Sequence, residues 1–494
     1  MTKERPIIWL LSLLAIVHVF VYSAAFPLFN NVDEPMHFDL ALKYSANGIP
    51  HGIDPVSDES LDYIVLFSTS EYFVNPNNFP GGRFPPPPWT QPAEKIGPTL
   101  VAEKKMGSQL LNYEDTEPPL YYELAAAWWQ IGKWCGVHGG SLPYWLRFLN
   151  ILFMPALVWT AYAVAKIVFP ENSFARVGVP ALVAFMPQTA FYSISDDILS
   201  PLCFGLTLIC LLLFLDVERP SVPLGILTGA ALAATFLAKT TNLPLIALSL
   251  ASILLKVLAQ IHEGKLKASL PSLVALFGCA GLPAILWMAW CRHFYGDYTG
   301  SAAKARAWGW TVKPFSQWWQ HPMFTPIGFW TYLSGQMGTF WQGEFRWHNN
   351  LLVVPGSITI YTLLSMALVT AVVPALWRTQ QGVAPLQRKA LWLSLVYFAS
   401  ALGFFALASI VYDFHDCVNP SRKHPFFQAG RMMLGALIPF LLLFVYGLDR
   451  VLYRFGNRIK FATLGAMILG MLLAEIAADW PVFSNPYNWF HLPR

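Results

Sequence analysis

Two adjacent carboxylates, Asp33 and Glu34, follow a long apolar run in NNVDEPMHFDLALKY, and His37 stands one helical turn further on. A carboxylate at that depth, close to a headgroup plane, suits a general base that takes a proton from an acceptor hydroxyl. The DxxxH spacing of Asp33 and His37 also suits a metal, with no third ligand near in sequence. The same residues fit plain helix capping, Asp33 standing before a helix that begins near Pro35. A second acidic pair, Asp196 and Asp197, lies in YSISDDILSP, and Lys239 lies in FLAKTTNLPL. Neighbouring carboxylates repel in a low-dielectric setting and call for a cation or a donor. In YDFHDCVNPSRKHPFFQAGR, residues 412–431, Arg422, Lys423 and Arg431 offer the compact positive charge that a phosphate needs. Arg431 opens an apolar run, where a cation is costly without an anionic partner. Trp308, Trp310, Trp318, Trp319, Trp330, Trp341 and Trp347 crowd one further segment, as faces for sugar rings or as anchors at a membrane interface.

The elements that position these residues are apolar. Of 494 residues, 55% are hydrophobic and only 12% charged, against roughly 25% charged in a soluble domain. Segments long enough to cross a bilayer lie near 7–26, 146–167, 177–194, 197–215, 223–239, 241–260, 268–291, 351–377, 389–412, 431–449 and 461–479. The expected fold is therefore an all-α polytopic membrane protein, one integral domain over 1–494 with about 11 transmembrane helices. The first run reads as a retained signal anchor. Residues 118–135, with Glu123, Lys133 and a Trp/Tyr-rich face, read as an interfacial helix. FPPPPW at 84–89 reads as a stiff extended connector. The net charge of +4 is too small and too scattered for a nucleic-acid binder. Six cysteines without a CxxC pair specify neither a disulfide framework nor a zinc site. No nucleotide loop, zinc-protease or serine-hydrolase motif is present, and no internal repeat.

Basic residues orient the chain. With a cytoplasmic N-terminus, the short inner loops hold 15 of the 32 Lys and Arg, including Lys3 and Arg378, against six of the 28 Asp and Glu. That is the positive-inside asymmetry. It places three long loops, 28–145, 293–350 and 413–430, outside, together with the candidate residues. Loops of this length within a compact unit are usually functional.

The succession of a signal anchor, VDEPMHF, PPLYYELAAAWW and RFLNILFMPALVWTAYAVAKIVFP resembles the GT-C superfamily of polytopic glycosyltransferases. Within it the chain is similar to bacterial aminoarabinose transferase and the protein O-mannosyltransferases. It is also similar to an uncharacterised bacterial membrane family with a DEPxHF start, whose later part QAGRMMLGALIPF matches. The resemblance implies an inverting transfer from a polyprenyl-phosphate sugar to an acceptor hydroxyl on a lipid, glycan or protein, at the outer face of the inner (plasma) membrane. It implies Asp33 as base with Glu34 as fallback, Asp196 or Asp197 as a second acidic site, and Lys239 near the donor phosphate; Arg431 and Arg422 join as phosphate ligands on their charge alone. No cofactor is required, and a divalent metal is compatible with the acidic residues. The chain departs from oligosaccharyltransferases, its WW pairs continuing as WWQIG and WWQHP. A transporter or flippase would use the same charges as a pathway, and an envelope polysaccharide polymerase or ligase would use a pyrophosphate leaving group. Against transport, the charges cluster at helix ends rather than at the midplane.

Overall fold

A computed structural model describes residues 4–377 and 384–493; Lys3 and Arg378, counted above among the inner charges, lie outside them. The chain is helical, and among the described residues nine helices are long and apolar enough to cross a membrane. Two shorter apolar helices, Ser173–Ala184 and Val222–Ala238, stand where the two remaining spans are expected. The run expected at 177–194 is thus cut short. Its helix stops at Ala184, and residues 185–195 turn irregularly, with a 3-10 turn at Thr189–Tyr192.

The core is the Gly430–Val451 segment, buried along its whole apolar length. Its neighbours approach closely where glycine removes the side chain. A Cβ on Gly447 would run into the backbone of Leu368. The Val222–Ala238 helix meets Leu266–Phe294 through Gly225 and Gly229, where a Cβ would strike Ser272 O and Leu276 O. Small residues four apart are how helices approach in lipid, where no hydrophobic drive separates helix from solvent.

The long connections pack on one another at one end of the bundle. Thr311–Val312 pairs antiparallel with Tyr412–Asp413, and His348 N donates to Glu71 O at 2.7 Å. Lys43 Nζ lies 3.0 Å from Asp39 and 2.8 Å from Asp115, tying the first connection to itself. The segment expected to lie at the interface is helical over Leu120–Trp134 and lays Tyr121, Tyr122, Ala125 and Trp129 into the core. The proline connector runs extended to Pro87 before a single 3-10 turn, Pro88–Thr90. The Trp-rich segment holds what hydropathy did not reveal, the helix Pro326–Gln342. Its Gln336, Thr339 and Gly335 are polar or small because they pack on Gln428, Gly430 and Met433. At the opposite end, short turns carry tight ion pairs such as Arg176 with Glu4 at 2.7 Å and Lys460 with Asp449 at 2.6 Å.

Candidate active site

Asp33 and Glu34 are neighbours with opposite surroundings. Asp33 occupies the residue before the Glu34–Asn47 helix, as expected, but its carboxylate does not cap it. Its φ of 64° is left-handed, a conformation an Asp tolerates at some cost. The carboxylate turns away from the helix toward Tyr113, whose hydroxyl donates at 2.5 Å, and toward the Arg431 guanidinium. Burial would raise the Asp33 carboxyl, but Arg431, helped by the Tyr113 hydrogen bond and the nearby Lys304, holds the group below the usual carboxylate range. Its side chain stays 17% exposed.

Glu34 is fully enclosed and saturated. Arg147 Nε and Nη2 reach its two oxygens at 2.9 and 2.7 Å, and the backbone N–H groups of Phe29 and Ile194 each donate at 3.0 Å. A carboxylate with its lone pairs filled by a bidentate arginine and two amides has none left for a substrate proton. This corrects the expectation of Glu34 as a fallback base.

The second acidic pair and Lys239 do meet Asp33, through Arg431. Asp196–Ile198 is a 3-10 turn that opens the next span, and Ser195 caps it. Lys239 sits in extended backbone between Val222–Ala238 and Thr240–Asn242, so its ammonium reaches sideways across the helix ends. Lys239 Nζ bridges Asp196 and Asp197 at 2.6 and 2.5 Å. Arg431 Nη1 holds the other oxygen of Asp197 at 2.7 Å, Nη2 holds Asp33, and Nε faces Glu344 at 3.4 Å. Arg431 thus has the anionic partners that its place at the head of an apolar run demands. The 3-10 start of its segment, Gly430–Ala436, is locked where Thr339 Oγ1 accepts from Gly430 N at 2.8 Å.

Arg422 is not part of this group, and its expected role as a phosphate ligand is corrected. Its side chain is 61% exposed and pairs with Asp413 at 2.8 Å on the two-stranded ribbon that joins the last two long connections. His37 is buried beside the cluster, its Nδ1 2.7 Å from the Tyr122 hydroxyl and its Nε2 without a partner among the described residues. Burial and the nearby Lys239 push its imidazole down to about 3, so it is neutral. Among the described residues no group of three or more His, Cys, Asp and Glu side chains is disposed to hold a metal. Lys239 lies between the two aspartates where a divalent ion would bridge them, so this donor set does not fit one.

Three further groups escape sequence reading. Glu344, in WQGEFRW, keeps Oε1 without a partner, and burial raises its carboxyl despite Arg431. Tyr113 links Asp33 to Trp308, the two rings 5.1 Å apart. Lys304 lies buried between Glu114 at 2.6 Å and Glu117 at 2.8 Å. The run EDTEPPL, three acids beside a motif already noted, was the one available signal.

A membrane bundle with DEPMHF at the head of its first long connection has a counterpart among known families. The chain belongs to the family of predicted membrane proteins described as DUF2142. The match covers residues 14–413, and so includes Asp33, Asp196, Asp197 and Lys239 but stops short of Arg431. No curated protein matches the chain. Among solved structures it is similar to the oligosaccharyltransferase of Archaeoglobus fulgidus, crystallised with zinc and sulfate, at a TM-score of 0.36 and 12% identity. That likeness covers 95% of this chain and 52% of the other, so the chain spans about half that protein's length.

Proposed function

We propose that this membrane protein is an inverting glycosyltransferase that moves a sugar from a polyprenyl-phosphate donor to an acceptor hydroxyl. The site lies at the outer face of the plasma membrane, with the N-terminus in the cytoplasm, the side that the basic residues favour. The observation that carries the reading is one network at the ends of several spans. In it a partly exposed carboxylate, Asp33, shares a guanidinium with a buried acid, Asp197, that also holds Lys239.

Asp33 takes the acceptor proton as the acceptor oxygen forms its bond to the anomeric carbon. The bond from that carbon to the phosphate oxygen breaks, and its electron pair leaves on the lipid phosphate. Arg431 and Lys239 meet the charge that develops there, as preorganised cations do at a departing oxyanion. Arg431 is held by three carboxylates without a donor, so a phosphate must displace one of them. When it displaces Asp33, the base loses the cation that depresses it and gains basicity just as the substrate arrives. Lys239 and Arg431 supply the positive charge, so no step runs through a metal.

The test is transfer by the purified chain in lipid from radiolabelled polyprenyl-phosphate sugars to candidate acceptors, comparing the native chain with Asp33→Asn. Native turnover with loss in the variant supports the reading. Equal transfer by both removes Asp33 as base, turnover only from pyrophosphate donors favours a polymerase or ligase, and no turnover from any donor favours transport.

A further inference from the structure

Beside the charged network lies a cavity of about 170 Å³, partly open, between the Trp-rich segment, the last turns of Pro385–Val411 and the Thr240–Asn242 turn. Its wall combines two kinds of surface. Trp308 and Trp310, with ring centroids 4.6 Å apart, face it together with Phe405 and Phe427. Thr240 and Ser301 bring hydroxyls to the wall, and Thr241 and Thr299, whose hydroxyls donate to Met432 O and Asp297, offer acceptor lone pairs. Two residues of the wall also carry buried polar atoms without a partner among the described residues, Glu117 Oε2 and Trp310 Nε1. Unpaired buried polar atoms are rare in folded proteins and call for a partner.

Aromatic faces beside a ring of hydroxyls match a ligand that is apolar on its faces and polar around its rim, which describes a pyranose or furanose ring. The charge of the wall argues for an uncharged one. Lys304 is the cation of the wall, and Glu117, which burial would raise, is held low by Lys304 and the nearby Lys239 together and so balances Lys304. Burial lifts the neighbouring Glu114 to about 8, largely removing its charge at neutral pH. A phosphate or a uronic acid would meet Glu117 with no cation to spare.

The cavity is also one ring away from the base. Asp33 accepts from the Tyr113 hydroxyl, the Tyr113 ring packs on Trp308, and Trp308 lines the cavity. We infer that this cavity is the acceptor subsite and that the acceptor is the uncharged sugar ring of a glycan, presented to Asp33 over Tyr113. The inference rests on the transferase reading for the acceptor's role, but the binding of a saccharide can be tested without it.

The test is saturation-transfer NMR on the full chain in lipid nanodiscs, with methyl glycosides of a neutral hexose, a hexuronate and a hexosamine, and with inorganic phosphate. A short-chain neutral glycolipid tells a lipid-borne sugar from a soluble one. The expected result is binding of a neutral glycoside, weakened about fivefold to tenfold by Trp308→Ala and less by Trp310→Phe, as loss of an aromatic contact predicts. The distant, exposed Trp377→Phe keeps that binding. Trp310→Phe keeps an aromatic ring and removes the orphan N–H with the pyrrole half of the indole, a milder change that reads the site even where Trp308→Ala does not fold. Preference for phosphate or hexuronate overturns the inference, as does glycoside binding indifferent to both tryptophans. Transfer without glycoside binding sinks the subsite alone, whereas glycoside binding without transfer from any donor sinks the transferase reading and keeps the cavity as a saccharide site.

Discussion

Glu34 with Arg147 and Asp33 with Arg431 are two carboxylate–guanidinium pairs that begin at adjacent residues and serve opposite ends. In the first, each oxygen is filled, the side chains are sealed from solvent, and the arginine also binds the carbonyls of Ser23, Phe26 and Pro27. That clasp fixes the end of the first span to the Ser141–Arg147 helix. In the second, the arginine is divided among three carboxylates, one of which has an oxygen without a partner among the described residues, and Asp33 is partly exposed. A saturated pair holds position, whereas an over-subscribed cation can change partners when an anion arrives.

The contrast breaks most severely at the clasp. Arg147→Ala leaves Glu34 buried and unpaired, and a loss of about 3–5 kcal/mol is expected, as for other broken buried pairs. It should appear as a sharply lower thermal midpoint of the purified chain, and an unchanged midpoint would remove the distinction. Asp33→Asn should act the other way round. Asparagine tolerates the left-handed backbone and keeps a partner for Tyr113, so the midpoint moves little while transfer falls about 10²-fold to 10⁴-fold.

Glu344→Gln is milder. It removes one claimant on Arg431 while keeping the shape, and should alter donor KM by about threefold to tenfold with kcat nearly constant, as expected where ground-state and transition-state binding change together. A fall in kcat alone would make Glu344 a participant in the chemistry. The smallest effect is on pH. Burial lifts Asp115 to about 7 and Glu114 to about 8, so the folded chain keeps protons that the unfolded chain releases at about pH 4. Their contribution is fully present below about pH 4 and is lost progressively as pH rises from there to about 8. Amide exchange at 112–117, corrected for intrinsic rates, should show protection declining over that interval; rising protection would contradict the assignment.

Much of this was legible along the chain. Apolar runs mark spans because lipid demands it of each span separately, and all eleven expected segments correspond to apolar helices. The exceptions are instructive. The run at 177–194 ends early because its last residues build the turn before Asp196. The helix Pro326–Gln342 was hidden because Gln336, Thr339 and its glycines, which pack on Met433, Gln428 and Gly430, interrupt its apolar run. Asp33, Asp196, Asp197, Lys239 and Arg431 were visible as charges at the ends of apolar runs, where each needs a partner.

Which partner each one takes was not visible. Arg431 lies 398 residues from Asp33 and Arg147 lies 113 from Glu34, and no local pattern distinguishes one acid of the DE pair from the other. Residue type and hydropathy are local properties, so the sequence by itself determined the spans, the sorting of charge between the two ends and the set of groups able to do chemistry. The saturation of a carboxylate depends on every donor that folding brings within about 3 Å of it. Only the tertiary structure could therefore decide that Glu34 is saturated, that Arg422 stands apart, and that Asp33, bound by Arg431 and Tyr113, keeps a partly exposed carboxylate.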